Sequence, residues 1–197
     1  MCLASCSFVS KDFDTSDKDS LVIQLITYVL DQAHYLDKEI DDDFSEKVFD
    51  TFLENLDPYK RYFYASDIEE FSKYKYKIDD AFKNPNFDFF DLVYSRYLER
   101  MTESEKIFNK VLSTPFDFSK DEVCECDFEV LEYVQTNDEL YDRWRKLLKI
   151  YVIENYHNEI EDDKRKLEKD SLFQTRNHEV IEKETRESLS ETMTQNY

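Results

Sequence analysis

Glycine is absent from all 197 residues. Average usage of about 7% would place roughly 14 in a chain of this length. Glycine supplies positive φ and room for close backbone approach. Without it there is no phosphate-cradling P-loop, no dinucleotide-binding turn, no glycine-flanked nucleophile elbow and no Asn-Gly hairpin. Tight-turned β architectures and most nucleotide enzymes are disfavoured. A helical protein is expected, because helices need few special dihedrals. Proline is scarce, at three positions. No long hydrophobic run exists either. Leu21-Val22-Ile23, interrupted by Gln24 before Leu25-Ile26, falls far short of the ~20 apolar residues of a membrane-spanning helix. No internal period is evident, which argues against a helical solenoid.

Metal and acid–base signals are equally thin. The three histidines, His34, His157 and His178, form no His-Glu-x-x-His pattern. His34 is read as a helix-end or packing residue, since a general base needs an orienting carboxylate and a nucleophile nearby. Asp41-Asp42-Asp43 and Asp79-Asp80 lack the alternating ligands and turning glycine of a calcium loop, and are read as capping and surface charge. Cys124 and Cys126 are one residue apart, where zinc pairs are spaced by two to four. Their sulfurs are expected to point to opposite faces. No metal, cofactor or catalytic residue is assigned.

What is present is charge and aromatic bulk. Forty-six acidic against 26 basic residues leave a net charge of −20. Such a field repels nucleic-acid phosphates, so direct DNA or RNA binding is not expected. The charge is read as solvation of outward helix faces. Sixteen Phe, 14 Tyr and one Trp supply enough apolar area for a core.

Apolar spacing predicts an all-α fold, an irregular bundle of about five or six helices. The first spans Ser20–Asp37, with Leu21, Leu25 and Val29 on its apolar stripe. The second spans Ser45–Leu56 and stops at Asp57-Pro58. Ser66-Asp67-Ile68-Glu69 reads as a capping box opening a third helix to Phe82. A long fourth helix runs from Asp88 to Ser113, ahead of Thr114-Pro115. A long fifth runs from Asn137 to Glu168, with Leu140, Trp144, Leu147, Leu148, Tyr151, Val152 and Tyr156 along one side. Trp144 is read as a packing anchor between helices. Arg143 and Arg145 flank it within reach of acidic partners, and Lys60 and Arg61 are likewise expected to pair with carboxylates. A short extended segment is allowed for near 120–130. The sparse segment Gln174–Met193 is helical and wants a partner to pack against.

Met1-Cys2-Leu3-Ala4-Ser5-Cys6 contains Leu-Ala-Ser-Cys, the shape of a bacterial lipoprotein cleavage site. The basic and apolar regions of a signal peptide do not precede it. Cys6 is therefore a candidate lipidation site if the chain begins inside a longer leader, and a chance match otherwise. The chain divides into a tail or tether at 1–19, a helical domain at 20–170 and a helical connector at 171–197.

Several blocks, taken together, carry a resemblance. They are His34-Tyr35, Leu53-Glu54-Asn55-Leu56-Asp57-Pro58, Lys60-Arg61-Tyr62-Phe63, Ser66-Asp67-Ile68, Pro115-Phe116-Asp117-Phe118 and Arg143-Trp144-Arg145-Lys146 with Leu148-Lys149. In order and spacing they resemble the N-terminal helical domain of the carboxyl-terminal processing peptidases, the tail-specific proteases. The most specific positions are Leu56, Asp57, Pro58, Lys60, Arg61, Tyr62, Phe63, Arg143 and Trp144. The resemblance implies an exported bacterial protein, periplasmic and membrane-associated, which agrees with Cys6 as the candidate lipid anchor. It implies a parent chain with a PDZ module and a serine endopeptidase core whose Ser–Lys dyad lies outside these residues. The present chain is then a non-catalytic domain that scaffolds the protease, gates protein substrates and offers a surface to an adaptor or a second copy. The alternative is a free-standing acidic helical interaction protein, an inhibitor, chaperone or effector.

Overall fold

The computed structural model describes residues 40–84, 86–128 and 130–196, and in the first predicted helix residues 21, 22, 24–26, 28 and 29; at 82, 83 and 196 only the backbone is described. Those residues of the first predicted helix are helical, and Val22, Leu25, Ile26 and Val29 are exposed rather than packed as a core stripe. The rest of that helix, with His34, lies outside the described residues, as do the 1–19 tail and Cys6. Beyond residue 40 the described chain forms α1 (Asp42–Leu56), α2 (Ala65–Phe71), α3 (Asp80–Lys83), α4 (Asp88–Leu112), α5 (Asn137–Lys169) and α6 (His178–Asn196). This is the expected all-α bundle with long fourth and fifth helices.

The helix ends follow local chemistry. Asp41 caps α1 by accepting from the Phe44 amide at 3.0 Å, so the helix starts in the acidic run, ahead of the expected Ser45. Thr136 caps α5, its hydroxyl accepting from the Glu139 amide at 3.3 Å. The Glu139 carboxylate reaches back to the Gln135 amide at 2.7 Å.

The predicted third helix is broken. α2 opens at Ala65, one residue before the expected Ser66. The reciprocal cap is made by Asp67, which accepts from the Tyr64 amide at 2.9 Å, instead of by Ser66 and Glu69. A 3₁₀ turn, Ser72–Tyr74, follows α2. There the Ser72 hydroxyl donates to the Glu69 carbonyl at 2.7 Å, competing for an acceptor that a continuing helix would use. The extended segment allowed for near 120–130 is not a strand. The β feature among the described residues is an isolated parallel bridge between Tyr64 and Val134.

Two compact units can be distinguished. The first holds the described residues up to 52 and those of 73–91. Its described part is built on phenylalanine: Phe49 and Phe89 rings lie 5.3 Å apart, and Phe52 meets Phe90 edge-on at 5.1 Å. Asp79, expected at the surface, is buried in this unit. It accepts from the Ser45 hydroxyl at 2.8 Å, and its amide donates back to that oxygen at 2.7 Å. A serine inside a helix thus serves as a polar socket, which satisfies a carboxylate that burial would otherwise penalise.

The second unit comprises 53–72 and 92–197. Its core joins Phe108, Val111 and Leu112 of α4 to Leu140, Trp144, Leu148 and Val152 of α5, with Tyr62, Tyr64 and Val134 from the connecting segments. The α5 residues recur every fourth position, the row that faces one neighbour. Tyr151, expected on that row, is 40% exposed. Leu189 and Met193 of α6 pack on the same cluster. The sparse last helix therefore finds its packing partner within its own chain.

Candidate functional site

The motif residues converge after α1. The Asp57 amide makes the last helical bond, to the Leu53 carbonyl at 2.9 Å, and the Lys60 amide donates back to the Asp57 carbonyl at 3.0 Å. The chain turns through Lys60, whose φ of 45° is in the left-handed region. Glycine occupies that region without penalty; lysine does so against steric resistance. Tertiary bonds hold it there. Lys60 Nζ donates to the Leu131 carbonyl, and Arg143 donates to the Lys60 carbonyl.

The Asp57 carboxylate, 1% exposed, gathers the amides that follow. Oδ1 accepts from Arg61 at 2.8 Å, and Oδ2 accepts from Tyr62 at 2.9 Å and Phe63 at 3.0 Å. Burial pushes the carboxyl up from its ordinary value, and the three amides with the Arg61 charge pull against that rise without cancelling it. Trp144 closes the turn from the other side. Its indole Nε1 donates to the Arg61 carbonyl at 2.9 Å, and its ring meets Tyr62 edge-on at 6.0 Å. Arg143 also donates to the Glu132 carbonyl at 2.7 Å. Leu56 is half-buried and Pro58 exposed at the rim.

Among the described residues, Arg61 and Lys60 do not form the expected ion pairs. The Arg61 guanidinium lies over the rings of Tyr59, Tyr62 and Trp144 at 5.2, 5.1 and 5.0 Å. Lys60 lies over Tyr133 at 5.3 Å. Aromatic faces attract these cations in place of carboxylates. Arg145 does pair as expected. It grips Glu122 and donates to Asp142, the latter at 2.7 Å. Lys149 joins Glu122 at 2.6 Å and the Asp117 carbonyl at 2.7 Å. Arg145 and Lys149 together hold the Glu122 carboxyl well below the usual carboxylate range.

Two further clusters escaped sequence reasoning. Asp67, 1% exposed, receives Arg100 Nε at 2.8 Å and Arg96, while Tyr64 bonds Glu103 at 2.8 Å. Burial alone would raise the Asp67 carboxyl, but the two guanidinium groups and the Tyr64 amide outweigh it and the net shift is downward. The signal available was the spacing of Arg96 and Arg100, one helical turn apart on one face. On α5, Asp163 receives Arg176 through side chain and backbone, with Nη2 at 2.7 Å and the amide at 2.9 Å. These bonds hold the Asp163 carboxyl down at about 2. No spacing rule joins those two residues.

A groove of about 590 Å³ runs beside the motif, lined by residues that include Cys124, Leu131, Val134, Asp142, Arg143 and Lys146. The two cysteines fail to point apart. Side chains alternate along extended backbone, so residues two apart return to one face. Cys126 Sγ lies 3.7 Å from the Cys124 carbonyl, and the two thiols sense one another. Among the described residues no group of three or more His, Cys, Asp or Glu side chains could hold a metal ion. No helix of the described residues is long and apolar enough to cross a membrane. Asp57, Arg143 and Trp144 all bond main-chain groups, and the architecture of the site is that of an anchor.

Comparison with known proteins agrees with that architecture. The family model for the tail specific protease N-terminal domain matches residues 26–197. A tail-specific protease of Haemophilus influenzae is 32% identical over 143 residues, which cover 70% of this chain and 20% of that protein. The chain thus spans about a fifth of the length of that relative. With its motif blocks folded into one anchoring turn, this chain belongs to the tail-specific protease N-terminal domain family.

Proposed function

We propose that the chain is the non-catalytic helical domain of an exported bacterial tail-specific serine protease, which degrades proteins from their C-terminal tails. The observation that carries this reading is the match over 26–197 combined with a span of about a fifth of the relative's length. In this reading the Ser–Lys dyad and the PDZ module belong to other parts of the parent chain. The domain scaffolds those parts, gates protein substrates, and presents a surface for an adaptor or a second copy. The acidic field disfavours nucleic acid as a partner. Export to the periplasm and lipidation at Cys6 complete the proposal.

The test is a cleavage assay on peptides with unstructured C-terminal tails. The isolated chain is expected to leave them intact, and the parent protease with this domain deleted is expected to lose regulated cleavage. Cleavage by residues 1–197 alone refutes the assignment. One observation favours the second reading, a free-standing acidic interaction protein: α6 is already docked on its own chain through Ile181, Leu189 and Met193. Adding the chain in trans separates the two. Restored activity of a domain-deleted protease supports the first reading, and inhibition of the intact protease supports the second.

A further inference from the structure

Cys124 and Cys126 sit in the segment between α4 and α5, which is stretched over the α5 surface. Its upstream end is pinned by Glu122 on Arg145 and Lys149. Its downstream end is pinned where the Leu131 and Glu132 carbonyls accept from Lys60 and Arg143. Between those pins Cys126 is exposed and Cys124 half-buried, and both are free thiols. Cys124 lines the 590 Å³ groove and also a second cavity of about 190 Å³, which it shares with Glu122, Lys146 and Lys149.

The geometry favours approach of the two sulfurs. Residues two apart on extended backbone share a face. Consecutive Cα atoms lie about 3.8 Å apart, so the Cα separation of such a pair reaches at most about 7 Å and falls inside the range disulfides span once the chain bends slightly. Cys126 Sγ already leans on the Cys124 carbonyl at 3.7 Å, and Cys124 Sγ lies 3.8 Å from the Glu125 carbonyl. Burial, and after it the neighbouring Cys126, pushes the Cys124 thiol up from its ordinary value. The exposed partner is therefore the one to meet an oxidant, and the half-buried one is placed to resolve what forms.

We propose that Cys124 and Cys126 form a reversible dithiol–disulfide site that exchanges with small or protein disulfides. The exposed Cys126 thiolate attacks one sulfur of the incoming disulfide, forming a mixed disulfide and expelling one thiolate. The Cys124 thiolate then attacks the Cys126 sulfur, which closes the intramolecular bond and expels the second thiolate. Two protons pass from the cysteines to the departing thiolates. The pair loses two electrons and the external disulfide is reduced to two thiols, so no further oxidant is needed. A ring with a single intervening residue is strained, and strained, exposed disulfides are the labile ones. The bond is thus set to open again with a dithiol reductant. Closure would tie off the stretch of chain that walls the groove beside Arg143.

The probe is oxidised glutathione, applied to the chain with Cys2→Ser and Cys6→Ser and, in parallel, to the four-cysteine chain. Expected is a monomer lighter by two hydrogens, with maleimide-reactive thiols falling from two to none and returning with dithiothreitol. Glutamyl-specific digestion at Glu125 is expected to leave the flanking peptides joined only in the oxidised sample. In Cys124→Ser the reaction is expected to stop at a glutathione adduct on Cys126. Two results overturn the proposal. One is a stable adduct on Cys126 with Cys124 still reactive in the parent chain; the other is conversion to a disulfide-linked dimer. The four-cysteine chain, mapped by peptide mass, distinguishes the same outcomes should the serine background fold poorly.

Discussion

Replacing Asp57 with alanine removes the one acceptor shared by three consecutive amides, and its effect can be estimated from their surroundings. Arg61 is half-buried, so water can reach its amide. Tyr62 and Phe63 are 5% and 0% exposed, so theirs lose the carboxylate where little water can replace it. An orphaned buried donor costs about 1–3 kcal/mol. Two of them total about 2–6 kcal/mol, less the relief of no longer burying a carboxylate that burial strains upward. A loss of about 3 kcal/mol is expected for Asp57→Ala. In a chain of this size that corresponds to a fall in Tm of about 6–12 °C. Asp57→Asn keeps one oxygen for Tyr62 and Phe63 and turns its amide against the Arg61 N–H, so about half the loss is expected. Trp144 is the single tryptophan and lies on this turn, so its fluorescence in urea reports the site directly. Its emission in native Asp57→Ala is expected to shift to the red as water replaces the Arg61 carbonyl at the indole nitrogen. A stability within about 0.5 kcal/mol of the parent, the range of an ordinary surface change, would refute the claim that Asp57 organises the turn. So would unchanged hydrogen exchange at the Tyr62 and Phe63 amides.

Three other outcomes follow from the ion pairs. Arg100→Met leaves Asp67 buried with Arg96 as its remaining guanidinium partner, and a loss of about 2 kcal/mol is expected by urea titration, below the ~3–5 kcal/mol of a fully widowed charge. Arg186→Met orphans the Leu112 carbonyl, which Arg186 bonds at 2.6 Å, and strips the buried Glu182 of a guanidinium bonded at 2.7 Å while its bond from the Phe116 amide at 3.1 Å remains; exchange at the amides of residues 185 and 186 is expected to quicken about a hundredfold. Asp163 has its carboxyl lowered from 3.8 to about 2 by Arg176. A carboxyl depressed in the folded state stabilises above its ordinary range, and that contribution disappears as pH falls through the folded value. The α5–α6 connection is therefore expected to hold at pH 4 and release toward pH 2. Carboxyl NMR of Asp163 checks this, and a midpoint at or above 3.8 contradicts it.

Legibility in the sequence tracked how local the cause was. The end of α4 was readable because Pro115 acts within a few residues of itself, and Trp144 was readable because its row repeats every fourth position. The break after Phe71 was not: apolar residues continue at helical spacing through Ile78, and the competing Ser72 hydroxyl is a weak signal that only tertiary packing makes decisive. Asp79 read as surface charge because its socket, Ser45, is 34 residues away. Arg61 read as an ion-pair donor because composition supplies carboxylates everywhere; two of the rings that hold it, Tyr59 and Tyr62, are its sequence neighbours, but the third, Trp144, arrives from a distant helix. The motif was recognisable as a block, but its role as an anchor depended on α5 arriving beside it; the pairing of Asp163 with Arg176 depended instead on the chain folding back after α5.

Many of the long reaches in this protein end on main-chain oxygens. Arg143 holds the carbonyls of Lys60 and Glu132, Trp144 that of Arg61, Lys149 that of Asp117, and Arg186 that of Leu112. A carbonyl is the same whichever amino acid carries it. The irregular connections can therefore exchange side chains over generations while their paths stay put, whereas the few long donors on the helices have no such latitude. Drift in this domain should accordingly be fast along the loops and slow at a handful of helix positions.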